Sequence, residues 1–304
     1  MTGLNQRLRG MLRGPLHGVT QLAASLRPDA AHLPAWERTV LDDIAARRPW
    51  NIRVKAERRV ALARSGGLRD GVTIVIVNWN TCEVTSDVID SVAELTPSGV
   101  RVLVVDNGST DGSREMLRAR TGIDKLFLRS NAGHGVALDL ALCRVRTKVA
   151  VTLDSDALPL VPGWLEPAVR PVAEGRAILA GLRASRDFVH PVFSAVSTAA
   201  FVQRRLSFQT LVPPGLSGAA ANWGENAWDT GEMMTRRLPA DEVTFVEPTA
   251  NLVSGLPGMT VGGVVYHHGG VSRSTGGAPD PSAMTVWRDS RARLRSAVAD
   301  GHVG

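Results

Sequence analysis

The sequence predicts an α/β domain, a three-layer sandwich around a mainly parallel central sheet. Three observations predict it. Residues 72–77, 102–105 and 149–153 are short, nearly all-apolar runs of strand-forming residues, the pattern of strands buried on both faces. Helical stretches and short loops alternate with these runs, as parallel strands require. Each run also stops at a polar residue, Asn78, Asp106 or Asp154. Sheets of this kind bind ligands beyond the carboxyl ends of their strands.

The N-terminal part reads differently. Residues 1–70 hold 13 Lys and Arg against 6 Asp and Glu, a net of +7, while the remaining residues come to −1. The basic balance thus belongs to the N-terminus, and the main body has no basic surplus that would suggest nucleic acid. Within residues 1–33, Leu4, Leu8, Met11, Leu12 and Val19 would share a helical face, weakened by Gly10, Gly14, Pro15 and Gly18. This stretch reads as a loosely docked terminus or as a basic amphipathic segment resting on anionic lipid. Residues 34–48 form a better helix, with Pro34 early and Trp36, Val40, Leu41 and Ile44 as its stripe. Residues 53–64 predict another basic helix. The expected organisation is a basic helical extension over 1–70, a main domain over 71–275 and a helical tail over 276–304. Within the main domain, residues 71–166 form a first half and residues 167–275 a second.

Composition removes several classes. Hydrophobic residues make up 44% and charged residues 21% of 304, which are globular values. No apolar run is long enough for a membrane span, and no secretory leader is expected at the N-terminus. Cys82 and Cys143 make neither a disulfide framework nor a zinc cluster, which fits a reducing cytoplasm.

The first strand leads through Asn78, Trp79 and Asn80 into a helix ending near Glu94. The second ends at Asp106, and the loop over residues 107–112 enters a helix through Leu117. Residues 126–128 make a short strand and residues 133–144 a helix. The fourth strand ends in Asp154-Ser155-Asp156. In an extended segment these two carboxylates face one way and repel, unless a cation or hydrogen-bond donors neutralise them. Hard divalent cations choose such oxygens and share them with substrate phosphates. A solvated turn with Asp as a cap is the plainer reading. Gly108 and Gly112 allow tight turning, while Ser109 or Asp111 can cap the next helix.

In order and spacing, four segments resemble the family 2 glycosyltransferases of the GT-A fold. They are Thr73-Ile-Val-Ile-Val-Asn-Trp-Asn80, Val104-Val-Asp-Asn-Gly-Ser-Thr-Asp111, Asn131-Ala-Gly-His-Gly-Val-Ala137 and Leu153-Asp-Ser-Asp156. Fainter matches follow at Trp228-Asp-Thr-Gly-Glu232 and Tyr266-His-His-Gly-Gly-Val-Ser-Arg273, and the Asp229-Thr-Gly pattern is similar to rhamnosyltransferases. The resemblance implies that Asn78, Asn80, Asp106, Asn131, Gly133 and Asp154 border the nucleotide and sugar of a nucleoside-diphosphate-sugar donor. It implies Mg²⁺ or Mn²⁺ on Asp156, with His267 or His268 as a further ligand and Arg273 offsetting diphosphate charge.

The resemblance also implies an inverting transfer to a hydroxyl acceptor: a cell-envelope glycan, a lipid-linked sugar or a secondary metabolite. Direct displacement at the anomeric carbon needs a base opposite the leaving group. Asp229 and Glu232 are the candidates, with Glu225 behind them. Asp229 and Glu232 also make a capping box for a helix over 233–238. The family usually has two adjacent acids here, where this chain has Asp229-Thr230. Arg183, Asp187, His190, Trp223 and Trp228 are candidate acceptor-pocket residues. Residues 213–215 and 219–221 suggest a loop that closes over the donor. A sugar nucleotidyltransferase is disfavoured because Asn78-Trp79-Asn80 stands where that class needs a Gly-rich basic loop. A nicotinamide dehydrogenase fits poorly, because Gly133-His134-Gly135 lacks the third glycine. A sugar-nucleotide-binding module without catalysis is the remaining alternative. The expected location is cytoplasmic, with residues 1–33 at the inner membrane face.

Overall fold

The computed structural model describes residues 35–210, 229–271 and 281–300, with residues 35–48 as backbone only. The chain divides into two units, residues 54–209 with 230–304, and residues 1–53 with 210–229. The described part of the smaller unit is mainly the first half of helix α1 (Ala35–Arg64), in which Arg53 lies 5.8 Å over the Trp50 ring. The two helices expected at 34–48 and 53–64 are thus one, with Pro49 inside it. Residues 1–33 lie outside the described residues.

The larger unit holds the predicted sheet. The apolar runs become β1 (Arg69–Asn78), β2 (Arg101–Asp106), β3 (Asp124–Phe127) and β4 (Thr147–Asp154). Helices α2 (Cys82–Leu95), α3 (Ser113–Ala119) and α4 (His134–Leu142) connect them. Parallel strands require such crossovers, and a helix satisfies its own backbone while covering a sheet face. In α2 the residues Val84, Val88 and Val92 recur every four positions and are buried together with Ile89. Ile74, Val75, Ile76, Val104, Val149 and Val151 fill the sheet interior. Each such buried side chain contributes about 1.5–3 kcal/mol.

Further along come β5 (Ala157–Pro159), α5 (Glu166–Ala173), β6 (Leu179–Ala184), β7 (Phe188–Ser197) and α6 (Thr198–Gln203). After them lie α7 (Glu232–Arg236), β8 (Val243–Val246), β9 (Pro248–Thr249), β10 (Met259–Val261), β11 (Val265–His267) and α8 (Pro281–Ala299). The central sheet runs β3-β2-β1-β4-β7-β6-β8, and the small sheet runs β5-β11-β10-β9. In the central sheet β7 alone is antiparallel to its neighbours, so the sheet is mainly parallel as predicted.

The chain proceeds outward from β1 to β3, then returns to place β4 on the other side of β1. This reversal opens a crevice at the carboxyl ends of β1 and β4. Register fixes what lies there: Asn78 sits beside Asp106, and Val77 beside Asp154.

One boundary differs from expectation. Residues 54–70 belong to the larger unit, where Arg58 donates to the carbonyls of Phe201 (3.0 Å) and Leu206 (2.6 Å). The C-terminal helix, Pro281–Ala299, falls within the expected helical segment 276–304 and packs onto the domain. Trp287 is fully buried and its indole N–H donates to Asp87 at 2.9 Å, while Arg288 grips Glu83 at 2.6 Å. No described helix is long and apolar enough to cross a membrane.

Candidate metal and nucleotide site

Asp154 ends β4, Ala157 opens β5, and the two residues between the strands, Ser155 and Asp156, carry the chain from one sheet to the other. Alternation along this stretch separates the side chains. Ser155 turns inward, where its hydroxyl accepts from Thr81 Oγ1 at 3.3 Å. Asp154 and Asp156 turn the other way. The small sheet then supplies a histidine: β11 pairs antiparallel with β5, setting His267 opposite Ala157. His267 Nε2 lies 3.4 Å from Asp156 Oδ1. One ligand atom each from Asp154, Asp156 and His267 lie within 4.8 Å of one another.

Two carboxylate oxygens and one imidazole nitrogen make a fitting donor set for a divalent cation. The carboxylates suit a hard divalent cation such as Mg²⁺ or Mn²⁺, and the imidazole can complete the set. Electrostatics keep Asp154 anionic. Burial works to raise its pKa, but His134, with His190 and His267 adding, holds it well below the usual carboxylate range. His134 stands close, its Nε2 3.4 Å from Asp154 Oδ1.

The histidine pair divides. Of the two expected alternatives, His267 joins the acidic cluster and His268 does not. His268 is 6% exposed, its Nδ1 lies 3.0 Å from the Tyr266 hydroxyl, and its ring packs edge-on against Trp287 at 5.5 Å. Burial lowers its pKa, so it serves as a neutral interior ring. Adjacent β residues point to opposite faces, which is why one histidine reaches the cluster and the other the core.

Asn78 and Asp106 lie in the interior. Both are 0% exposed. Asn78 Nδ2 donates to Asp106 Oδ1 (3.3 Å) and Ser109 Oγ (3.1 Å), and its Oδ1 accepts from Thr81 (2.9 Å) and Thr85 (2.8 Å). Asp106 also accepts from the Ser109 amide at 3.4 Å and pairs with Arg114 at 3.0 Å. A ligand reaches neither without displacing those bonds, so both shape the crevice by holding its loops. Asn80, at φ 53°, takes the Thr110 amide at 2.7 Å. Gly108 lies against Ser130, where a Cβ would strike the backbone.

Asn131 and Gly133 lie one strand over. Asn131 Oδ1 accepts from Asn107 Nδ2 (3.0 Å) and from the Gly133 amide (2.8 Å), while Asn107 Oδ1 accepts from the Ala132 amide (2.9 Å). This turn, with Gly133 at φ 86°, starts α4 and aims its first residue, His134, at Asp154. His134 lies within the segment 131–137 and opens α4. A histidine opening a helix after an Asn-x-Gly turn is the sequence signal for it.

Glu232 opens α7, is 5% exposed, and pairs with Arg186 at 2.7 Å and Arg236 at 3.1 Å. Asp229, half-buried, belongs to the smaller unit. Arg183 pairs with Asp187 at 2.9 Å and Glu247 at 2.8 Å, and His190 Nδ1 accepts the Val192 amide at 3.2 Å. Trp223, Glu225, Trp228, Arg273 and the loop residues 213–215 and 219–221 lie outside the described residues. Burial pushes the Cys143 thiol up to about 12, so it is no nucleophile.

The sheet order, the reversal at β1/β4 and the acidic cluster at the end of β4 define an α/β domain of the GT-A class. Residues 73–216, a little under half of the chain, match the family model described as "Glycosyl transferase family 2". An uncharacterized glycosyltransferase of Nostoc sp. is 31% identical over 90 residues, 28% of this chain and 28% of that protein. TuaG of Bacillus subtilis, whose name assigns it provisionally to teichuronic acid biosynthesis as a glycosyltransferase, is 30% identical over 89 residues, 28% of this chain and 35% of its own. The chain thus spans about a third or less of these curated relatives. Among solved structures, glucosyl-3-phosphoglycerate synthase from Mycobacterium tuberculosis, in complex with Mn²⁺, UDP and phosphoglyceric acid, is similar. It shows 18% identity and a TM-score of 0.44, covering 78% of this chain and 81% of that one.

Proposed function

We propose that this chain is an inverting, metal-dependent glycosyltransferase that moves a sugar from a nucleoside-diphosphate sugar to a hydroxyl acceptor. The observation that carries the reading is the convergence of Asp154, Asp156 and His267 within 4.8 Å at the β1/β4 crevice. A divalent cation held by these three would neutralise the diphosphate and favour its departure. The Asn78–Asp106–Ser109 bonds hold the loops around the crevice rigid, so the donor meets a preorganised wall. His134 steadies Asp154 from the side of α4.

Asp229 is assigned as the base on residue type and sequence context. Glu232 is the weaker candidate, because two guanidinium groups already occupy its carboxylate. A cell-envelope, lipid-linked or secondary-metabolite acceptor fits this reading. The basic segment 1–33 would rest on the inner membrane face of the cytoplasm. The support for that placement is its share of the +7 charge of residues 1–70.

The test is turnover with a panel of UDP-, GDP- and dTDP-sugars and Mn²⁺ or Mg²⁺, following release of the nucleoside diphosphate with and without candidate acceptors. One donor should react, and D156A should abolish release. D229N should lose turnover by about 10²-fold or more, the scale of general-base catalysis, while keeping donor affinity. Full activity of D156A would overturn the metal assignment, and full activity of D229N the base.

A further inference from the structure

At the opposite end of the central sheet lies a cavity of about 270 Å³. Arg64, Arg69, Arg146, Ser65 and Thr198 supply its polar lining. Arg69 is the first residue of β1 and Asn78 the last. Nine residues of strand at about 3.3 Å each separate this cavity from the crevice by about 30 Å.

The backbone builds the cationic wall. The Arg69 amide donates to the Arg146 carbonyl at 2.8 Å, which joins the two backbones where both residues line the cavity. The third is fixed by its own bond, Arg64 Nη2 to the Cys143 carbonyl at 3.0 Å. The nearby acids are already used: Asp70 pairs with Lys148 at 2.6 Å and Glu57 with Arg144 at 2.5 Å. Among the described residues neither the Arg69 nor the Arg146 side chain has an ion-pair partner. Arg64 is half-buried, and Arg69 and Arg146 are exposed at the cavity, so their charges are open to an anion arriving from solution. The guanidinium fork matches phosphate oxygens in pairs.

A second observation points the same way. Thr198 is 2% exposed, and its hydroxyl has no hydrogen-bond partner. Buried hydroxyls in folded proteins normally have one. Size and lining restrict the ligand further. The volume falls just under the range of about 300–1,000 Å³ typical of small-molecule sites. Ala61, Val145 and Val202 offer an apolar wall for a few carbons.

We propose that this cavity is a second binding site, for a small phosphorylated organic anion of the glycerol phosphate type. The phosphate sits among Arg64, Arg69 and Arg146, and the carbon skeleton lies against the apolar wall. Such a group comes either free in solution or as the headgroup of an anionic phospholipid, and the experiment separates the two.

The test uses the full chain at fixed ionic strength. Glycerol 3-phosphate is titrated calorimetrically, with glycerol as the uncharged control. In a second arm, vesicles of phosphatidylcholine with and without phosphatidic acid are sedimented with the protein. Saturable binding of glycerol 3-phosphate is expected, weakened about tenfold or more in R69Q/R146Q through loss of charge-assisted bonds. Binding to phosphatidic acid vesicles alone, lost in the same variant, supports the site with a lipid source. T198V is expected to weaken binding about threefold or more and serves as the readout should the double variant fail to fold. D156A should bind as the wild type does. The proposal is overturned if neither probe binds, if R69Q/R146Q and T198V bind as the wild type, or if D156A abolishes binding.

Discussion

Asp156 and His267 meet across the seam between the two sheets, Nε2 to Oδ1 at 3.4 Å, although they lie 111 positions apart in sequence. The β5/β11 pairing holds them there, setting His267 opposite Ala157. His267 thereby comes to the acidic cluster, and His268 is turned into the core. H267A should weaken Mn²⁺ binding, read by titration calorimetry, about tenfold or more, in line with the loss of one ligand. H268Q should leave Mn²⁺ affinity near wild type and lower the melting temperature instead. Equal loss of metal affinity in both variants would contradict this division.

Gly258 secures the same histidine from behind. Its φ is +73°, and a Cβ there would run into the carbonyls of His267 and His268. G258A should cost about 1–3 kcal/mol of stability through backbone strain alone. It should also weaken Mn²⁺ binding, because the collision displaces β11. A variant with wild-type melting temperature and metal affinity would show that the close approach is unimportant.

Arg114 answers the fully buried carboxylate of Asp106 from 3.0 Å. Removing one partner of such a pair leaves an uncompensated interior charge, which costs about 3–5 kcal/mol. R114A should therefore show a chemical-denaturation midpoint well below wild type. R114K should recover part of the loss, since it restores charge without the fork. A denaturation curve for R114A that overlays the wild type would end this account.

Asp139 on α4 is buried and accepts from Ser207 Oγ (2.6 Å), the Phe208 amide (2.9 Å) and Gln209 Nε2 (2.9 Å). Burial raises its pKa above the ordinary 3.8 despite these donors. The protonated acid thus contributes stability that is fully present below about pH 3.8 and fades as pH rises through the folded value. Above that value the charge is carried at a cost. Compared with D139N, the wild type should lose relative stability between pH 3.8 and neutrality, read from denaturant midpoints across that range. A difference independent of pH would refute the assignment.

Much of the first half was legible. The runs at 72–77, 102–105 and 149–153 fall inside β1, β2 and β4, because a strand buried on both faces must be apolar throughout. Asp154-Ser155-Asp156 stands out for a related reason: two carboxylates facing one way at a strand end repel unless a cation or hydrogen-bond donors neutralise them. The second half was less legible. β9, β10 and β11 are two or three residues long and carry no period to detect. Without them, nothing in the sequence distinguishes His267 from His268. The inward placement of Asn78 and Asp106 was hidden too, since it depends on Arg114, Thr81 and Thr85 arriving from two helices and a loop. The anchoring of the C-terminal helix rests on Trp287 reaching Asp87, a contact spanning 200 positions.

The crossing from β4 to β5 ties the two sheets mechanically. Asp154 is the last residue of one, and Asp156 precedes the first residue of the other. Any ion gripping both, with His267 as the third claw, would act as a rivet through the joint. The small sheet, whose strands are too short to persist by themselves, would then owe its persistence partly to the same charge that serves the chemistry.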